Sequence, residues 1–109
     1  MKDYTIHIMI LIFFENGIHY HYSPELDIYG YGNTEEDSQL LLTTAVNLFL
    51  EQSIGDKKLK DELQELYWKF NDIPTPPSFD ELTKINEDLV KKILPLKPIL
   101  TYKTINLHL

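Results

Sequence analysis

Apolar residues follow two spacings along this chain, one typical of strands and the other typical of helices. β-branched and aromatic side chains dominate residues 4–14, and both alternating positions are apolar over 8–14. That pattern predicts a central strand covered on both faces. The pair Asn16-Gly17 then predicts a tight hairpin, because a type I′ turn needs positive φ at both central residues. Strands over 18–23 and about 27–31 complete a predicted antiparallel meander.

A helix is predicted after the third strand, over 35–53. Thr34 is placed to cap it, and three acidic residues follow at the positive end of the helix dipole. A broad apolar stripe runs along one side of this helix, which is the side expected to pack on the sheet. Leu40 and Leu50 lie outside the stripe, so the helix is predicted to contact something on a second side.

A second helix is predicted after Gly55, with Asp56 as its cap. Its apolar residues recur at helical spacing from Leu59 to Phe70, although 67–71 is also compatible with a short strand.

The C-terminal part begins with a proline-rich linker over 71–77. Ser78 and Glu81 then form the S-x-x-E pattern of a capping box, which predicts a helix over 78–94. Residues 99–109 are strand-like, with alternating apolar positions at the end of the segment.

These elements together predict an α+β fold. A chain of 109 residues is expected to form one domain with a core of its own. We expect residues 1–72 to form an antiparallel β-meander with helices packed on one face. Residues 73–109 are then a C-terminal extension, made of the linker, a helix and a strand-like tail, packed on the same domain.

Charge is distributed unevenly along the chain. The net charge of −7 comes entirely from residues 1–55, where Lys2 is the one basic residue against eight acidic ones. The chain has no arginine, which is the preferred contact for phosphates and base edges, so direct binding of DNA or RNA by this chain is disfavoured. An acidic half suits a basic protein partner, whose approach it accelerates. Solubility alone is an equally simple reason for the acidity.

Cysteine is absent, which excludes disulfides and thiolate metal sites and suits a reducing cytoplasm. The apolar run over 8–14 is much shorter than the ~20 residues that span a bilayer, so no membrane association is expected. We therefore predict a cytoplasmic protein.

Candidate chemistry is sparse. His19 and His21 share one face of a strand, but a closed zinc site needs four ligands, so ordinary sheet histidines are expected. Glu25 and Asp27 form a carboxylate pair of the kind that holds magnesium in nucleases, and such pairs are also common in plain loops. The serines lack a nucleophile motif. Gly30 and Gly32 are interpreted as turn residues. No cofactor is expected, and the chain is predicted not to be an enzyme.

The order of motifs resembles the HicB-like antitoxin family over residues 4 to about 52. The resemblance rests on the Asn16-Gly17 hairpin, Pro24-Glu25-Leu26, the G-x-G-x-T pattern of residues 30–34 and a helix that begins Glu35-Glu36. Further along, Leu66-Tyr67-Trp68 is a weaker echo of the family's L-G-W, with Tyr67 where glycine is usual.

The resemblance implies a partial ribonuclease H-like fold without that enzyme's catalytic carboxylates. It also implies a partner, a small basic HicA-like mRNA interferase, which HicB-like proteins block by covering its active site. Because tyrosine is enriched at protein interfaces, the acidic, tyrosine-bearing sheet and its loop are the predicted contact surface. Its residues are Tyr22, Pro24, Glu25, Asp27, Tyr29 and Tyr31.

Two other functions remain open from the sequence. One is a metal-dependent nuclease that uses Glu25 and Asp27 on a ribonuclease H-like fold. The other is an interaction module with a different partner. A homo-oligomer is expected in any case, from the two-sided apolar helix and the unpaired strand edges.

Overall fold

The computed structural model describes residues 2–52 and 58–109. Its strands are β1 (Asp3–Glu15), β2 (Ile18–Ser23), β3 (Ile28–Gly32), β4 (Lys69–Phe70), β5 (Pro74–Thr75) and β6 (Ile99–His108). Its helices are α1 (Glu35–Gln52), α2 (Lys58–Glu65) and α3 (Phe79–Ile85), followed by a π-helical turn (Leu89–Ile93) and a 3₁₀ turn (Leu94–Leu96). The predictions made for Ser53, Gly55 and Asp56 lie outside the described residues.

One four-stranded antiparallel sheet organises the molecule, in the order β3-β2-β1-β6. The predicted meander is confirmed, and the strand-like tail joins it as β6 beside β1. Asn16 and Gly17 have φ of 53° and 79°, as a type I′ hairpin requires. β4 and β5 form a separate two-stranded ribbon.

The sheet is covered on both faces. Even-numbered residues of β1, among them Ile8 and Ile10, belong to a core cluster with residues of α1, α2 and β6. Leu11 belongs to a second cluster, whose other buried members are Tyr22, Leu82, Leu89 and Ile93. Successive side chains of a strand point to opposite faces, so the two clusters lie on opposite sides of β1. The predicted two-sided burial of β1 is confirmed.

The helices of residues 1–72 pack on one face of the sheet, as predicted, and the C-terminal extension covers the opposite face. The first core cluster contains residues of α1 and α2, whereas the second contains residues of α3 and the π-helical turn. The physical reason is in the sequence of β1, whose odd-numbered positions Met9, Leu11 and Phe13 are also apolar and must be covered.

Helix α1 begins as predicted, with the Asp37 N–H donating to Thr34 Oγ1 at 3.1 Å. Leu40 is 67% exposed, whereas Leu50, predicted to lie off the packing stripe, packs against the first core cluster.

Gly30 and Gly32 are strand residues, and their interpretation as turn residues is wrong. Neither has a positive φ. Helix α1 instead passes so close to β3 that a Cβ on Gly30 would lie 2.2 Å from the Ser38 carbonyl oxygen and 2.4 Å from the Leu42 nitrogen. Glycine is therefore required here for close helix–sheet packing.

The predicted C-terminal helix is interrupted. Its capping box between Ser78 and Glu81 is confirmed, but α3 ends at Ile85 and Asn86 is extended, with φ −113° and ψ 93°. The Asn86 Oδ1 then accepts the Leu89 N–H at 3.0 Å and so begins the next turn. Because the Asn86 side chain accepts an N–H at the start of the new helical turn, the chain can change direction over the second core cluster.

The second helix is shorter than predicted, and the alternative of a short strand after it is confirmed by β4. The Tyr67 N–H donates to the Gln64 carbonyl and the Trp68 N–H to the Leu63 carbonyl, both at 3.0 Å. This is the Schellman arrangement, which needs a left-handed residue, and Tyr67 has φ 71°.

The close packing of α1 predicts that Gly30→Ala lowers the free energy of unfolding by about 3 kcal/mol, because backbone atoms must move to admit the methyl group. Gly17→Ala is the matched control, since its new Cβ meets nothing within 4 Å and only the positive φ is strained. It is expected to cost about 1 kcal/mol. Urea denaturation of the two variants checks this, and equal losses would contradict the packing explanation.

Candidate partner-binding cleft

The loop over 24–27 joins β2 to β3 and places the predicted contact residues. Pro24 ends the ladder between β2 and β1, because the register that pairs Leu11 with Tyr22 would place Pro24 opposite Met9. The Met9 N–H donates instead to Glu25 Oε1. The Glu25 carbonyl accepts the Trp68 Nε1–H at 2.9 Å, which ties the loop to the segment after α2.

Glu25 is therefore an interior residue, and the prediction of a surface carboxylate at this position is wrong. Its side chain is 6% exposed. Burial raises the pKa of Glu25 to about 7, and the hydrogen bond from the Met9 N–H opposes that rise. The carboxyl group accepts the Met9 N–H in place of a hydrogen bond between strands. The spacing of residues in the sequence does not reveal this contact.

Tyr22 is also interior, at 1% exposure. Its hydroxyl donates to Asp27 Oδ1 at 2.7 Å and accepts from the Asn86 Nδ2 at 2.8 Å. Burial, followed by the nearby Asp27 carboxylate, raises the pKa of Tyr22 well above its usual range. The Tyr22 ring stacks on Tyr29 with centroids 4.0 Å apart. This network fixes the loop against the break between α3 and the π-helical turn.

A cleft of about 520 Å³ opens beside this network. Its walls come from the 24–27 loop, β3, the end of α2 and the break after α3. It is lined by Pro24, Asp27, Tyr29, Leu66, Tyr67, Leu82, Ile85, Asn86, Glu87 and Asp88. Asp27, Glu87 and Asp88 bring three carboxyl groups to the cleft, whose lining includes no basic residue. The aromatic rings of Tyr29 and Tyr67 are partly exposed there.

The predicted contact residues are divided by the structure. Pro24, Asp27 and Tyr29 line the cleft, with Pro24 itself buried. Tyr31 does not line it. Tyr31 is 59% exposed and lies opposite Tyr20, whose ring stacks on Phe13 with centroids 4.9 Å apart.

The second wall of the cleft was not predicted from the sequence. Tyr67, Ile85, Glu87 and Asp88 come from segments 40 or more residues beyond the predicted loop. The available signal for Tyr67 was the resemblance of Leu66-Tyr67-Trp68 to the L-G-W of HicB-like proteins, in which glycine is usual at this position. The helix break at Asn86 had no comparable signal, because the 78–94 segment has continuous helical periodicity.

The histidines of β2 have ordinary structural partners. The Ser38 Oγ–H donates to the Glu35 carbonyl oxygen at 2.8 Å. The His21 Nδ1 lies 2.7 Å from Ser38 Oγ, whose one proton is used in that bond, so Nδ1 carries a proton and donates to Ser38 Oγ. Burial lowers the pKa of His21, and the Glu35 carboxylate opposes that change. His19 packs on Phe14 with ring centroids 4.7 Å apart. Over residues 2–52 and 58–109, no group of three or more His, Asp or Glu side chains is placed to hold a metal ion.

No family model, curated protein or solved structure matches this chain. Within the described ranges, no helix is both long enough and apolar enough to cross a membrane.

The buried Glu25 predicts a dependence of stability on pH. Its folded pKa of about 7 lies above the ordinary value of 4.5, so the folded state holds the proton more tightly than the unfolded state. This residue's contribution to stability is therefore complete below pH 4.5 and falls as the pH rises to about 7. Integrated over that window, the loss is about 3 kcal/mol.

Glu25→Gln keeps an oxygen for the Met9 N–H but removes the ionisation. Relative to wild type, the variant is expected to gain stability between about pH 5 and about pH 8 in urea titrations. Glu65→Gln, on the exposed end of α2, is the control and should show no such change. A Glu25→Gln difference that is constant with pH would contradict the buried position of this carboxyl group.

Proposed function

We propose that this chain is a cytoplasmic, non-catalytic antitoxin of the HicB-like type, with a partial ribonuclease H-like fold, which binds and neutralises a small basic mRNA interferase. The cleft between the 24–27 loop and the break after α3 is the observation that carries this proposal. It joins three carboxyl groups to two partly exposed tyrosines. The sequence resemblance over residues 4 to about 52 supports the same function independently.

The cleft has the chemistry expected of a surface that receives a basic protein. Asp27, Glu87 and Asp88 attract lysine and arginine side chains and increase the rate of encounter. Tyr29 and Tyr67 offer aromatic area to a cationic side chain, over which a guanidinium or ammonium group is stabilised. Tyrosines that become buried in this way are typical anchors of protein interfaces.

The existing ion pairs of the cleft do not prevent such binding. Glu87 pairs with Lys91, and Asp88 pairs with Lys92 at 3.6 Å. The partners of each pair are four residues apart, and their side chains are exposed. Exposed pairs of this kind contribute about 0–1 kcal/mol, so a partner's cation can replace either lysine at small cost.

Inhibition follows from competition for positive charge. An RNase toxin must present a basic surface to RNA phosphates, and carboxylates of the antitoxin can occupy that surface instead. The antitoxin needs no chemistry of its own for this. Both carboxyl groups that a nuclease would use are held within the loop, Glu25 by the Met9 N–H and Asp27 by the Tyr22 hydroxyl. Those bonds support binding over catalysis as the role of the loop.

Asp27→Asn tests the electrostatic part of the proposal. Asp27 has φ 55°, which asparagine tolerates, and its amide oxygen can still accept from Tyr22, so the loop should be preserved. With a small basic HicA-like RNase as the partner, association at low salt is expected to slow by about fivefold, with weaker dependence on salt. Stopped-flow fluorescence measures both quantities.

Asp61→Asn is the matched control, because Asp61 is exposed on α2 and does not line the cleft. It removes the same charge and is expected to leave the association rate nearly unchanged. Equal effects of the two variants would show that only the total charge matters. If Asp27→Asn associates at the wild-type rate at every salt concentration and also rescues growth, the cleft is not part of the proposed interface.

A further inference from the structure

Strand β6 forms one edge of the sheet. It is ten residues long and pairs with β1 on one side, and the described part of the chain places no strand on its other side. Lys2 and Leu109 exchange reciprocal backbone hydrogen bonds, which identifies their position as a hydrogen-bonded pair. Counting back by two from Leu109, the odd-numbered residues of β6 direct their backbone groups to β1.

The even-numbered residues of β6 therefore direct their N–H and C=O groups away from the sheet. They are Leu100, Tyr102, Thr104, Asn106 and His108. The pairing with β1 is continuous from Asp3 to Ile12, so β6 has no bulge that would turn its edge away. No proline interrupts it either. Natural edge strands usually carry such protection or charged side chains, and β6 has one lysine, Lys103, over its ten residues. An edge of this length with so little protection is a template for another strand.

Apolar side chains accompany these free backbone groups. Ile99, Leu100 and Tyr102 are 66%, 49% and 63% exposed. The opposite edge, β3, has half the length and is closely crossed by α1 at Gly30. The two edges are thus unequal, and the N-terminal half of β6 is the one that offers both backbone hydrogen bonds and apolar area.

Charge excludes one kind of partner at this edge. β6 contains Lys103 and no carboxylate, and Lys97 precedes it. A basic partner such as the proposed toxin is therefore disfavoured at this edge. A second copy of this chain presents an identical edge, with the same exposed apolar residues and the same continuous row of unpaired backbone groups. Two identical edges can pair antiparallel about a twofold axis, which closes the assembly.

The side chains of β6 limit the register in which two copies of this strand can pair. An axis at Lys103 would place two lysines directly opposite each other, which is unfavourable. An axis at Tyr102 pairs residues 99–105 of both copies, stacks the two Tyr102 rings and sets Lys103 opposite Thr101. Thr101 and Lys103 line a groove of about 470 Å³ whose other wall, on α1, includes Glu35. Lys103 of each copy would thus lie beside the groove of the other copy, whose lining includes Glu35.

We infer that this chain forms a homodimer through antiparallel pairing of β6 with β6 of a second copy, about a twofold axis at Tyr102, to give one eight-stranded sheet. This inference does not depend on the proposed antitoxin function, because it uses the edge of the sheet and leaves the cleft free.

Two lysine substitutions at equally exposed positions test it. Tyr102→Lys puts a charge beside the twofold axis and is expected to raise the dimer dissociation constant by about tenfold or more. Leu40→Lys, at a residue 67% exposed on α1, is the control and should leave the constant unchanged. Sedimentation velocity over a concentration series measures both, and circular dichroism verifies that each variant is folded.

Hydrogen exchange of the wild-type protein tests the register without any mutation. The amides of Leu100, Tyr102 and Thr104 should become protected as concentration rises, while the amide of His108, beyond the overlap, stays unprotected. A wild-type chain that is monomeric throughout the concentration series would overturn the inference. So would dissociation caused by Leu40→Lys but not by Tyr102→Lys, or edge protection that appears only when the basic RNase is added.

Discussion

The rest of the structure depends on the burial of β1 on both faces. Ile8 and Ile10 are buried on one side and Leu11 on the other, so the strand needs a layer of helix on each side. Burying apolar side chains is the main favourable contribution to folding, and a strand with two apolar faces cannot be satisfied by a two-layer arrangement. The C-terminal segments belong to the domain for this reason: α3 and the π-helical turn cover the second face, and β6 completes the sheet.

The proposed site follows from the way β2 ends beside that central strand. Pro24 cannot continue the ladder, so Glu25 turns inward to accept the Met9 N–H, and the loop closes over Tyr22. The hydroxyl of Tyr22 then joins Asp27 of the loop to Asn86 at the break after α3. One buried tyrosine therefore sets both walls of the cleft relative to each other. The acidity of the cleft is a local consequence of where those two segments meet.

Local signals predicted the elements that local physics controls. Asn16-Gly17, the Thr34 cap and the capping box at Ser78 each satisfy a backbone requirement within a few residues, and each is found as predicted. The inward turn of Glu25 was not predictable, since it depends on a backbone N–H in another strand. The break at Asn86 was hidden for a similar reason, because continuous helical periodicity concealed a side chain that bonds to Tyr22. About half of the cleft lining is therefore positioned by contacts between residues that are distant in the sequence.

Tyr67 offers the most direct test of the account, because its backbone and its side chain have opposite demands. Its φ of 71° strains a tyrosine backbone but not a glycine, yet its ring is 57% exposed at the cleft and adds little to the core. The decisive measurement is the affinity of Tyr67→Gly for the proposed partner, a small basic RNase, taken together with its unfolding free energy. We expect Tyr67→Gly to be more stable by about 1 kcal/mol and to bind the proposed partner about tenfold more weakly. Lys97→Gly, which relieves a similar φ of 55° away from the cleft, should gain stability and keep full affinity. Undiminished binding by a stabilised Tyr67→Gly would contradict the account.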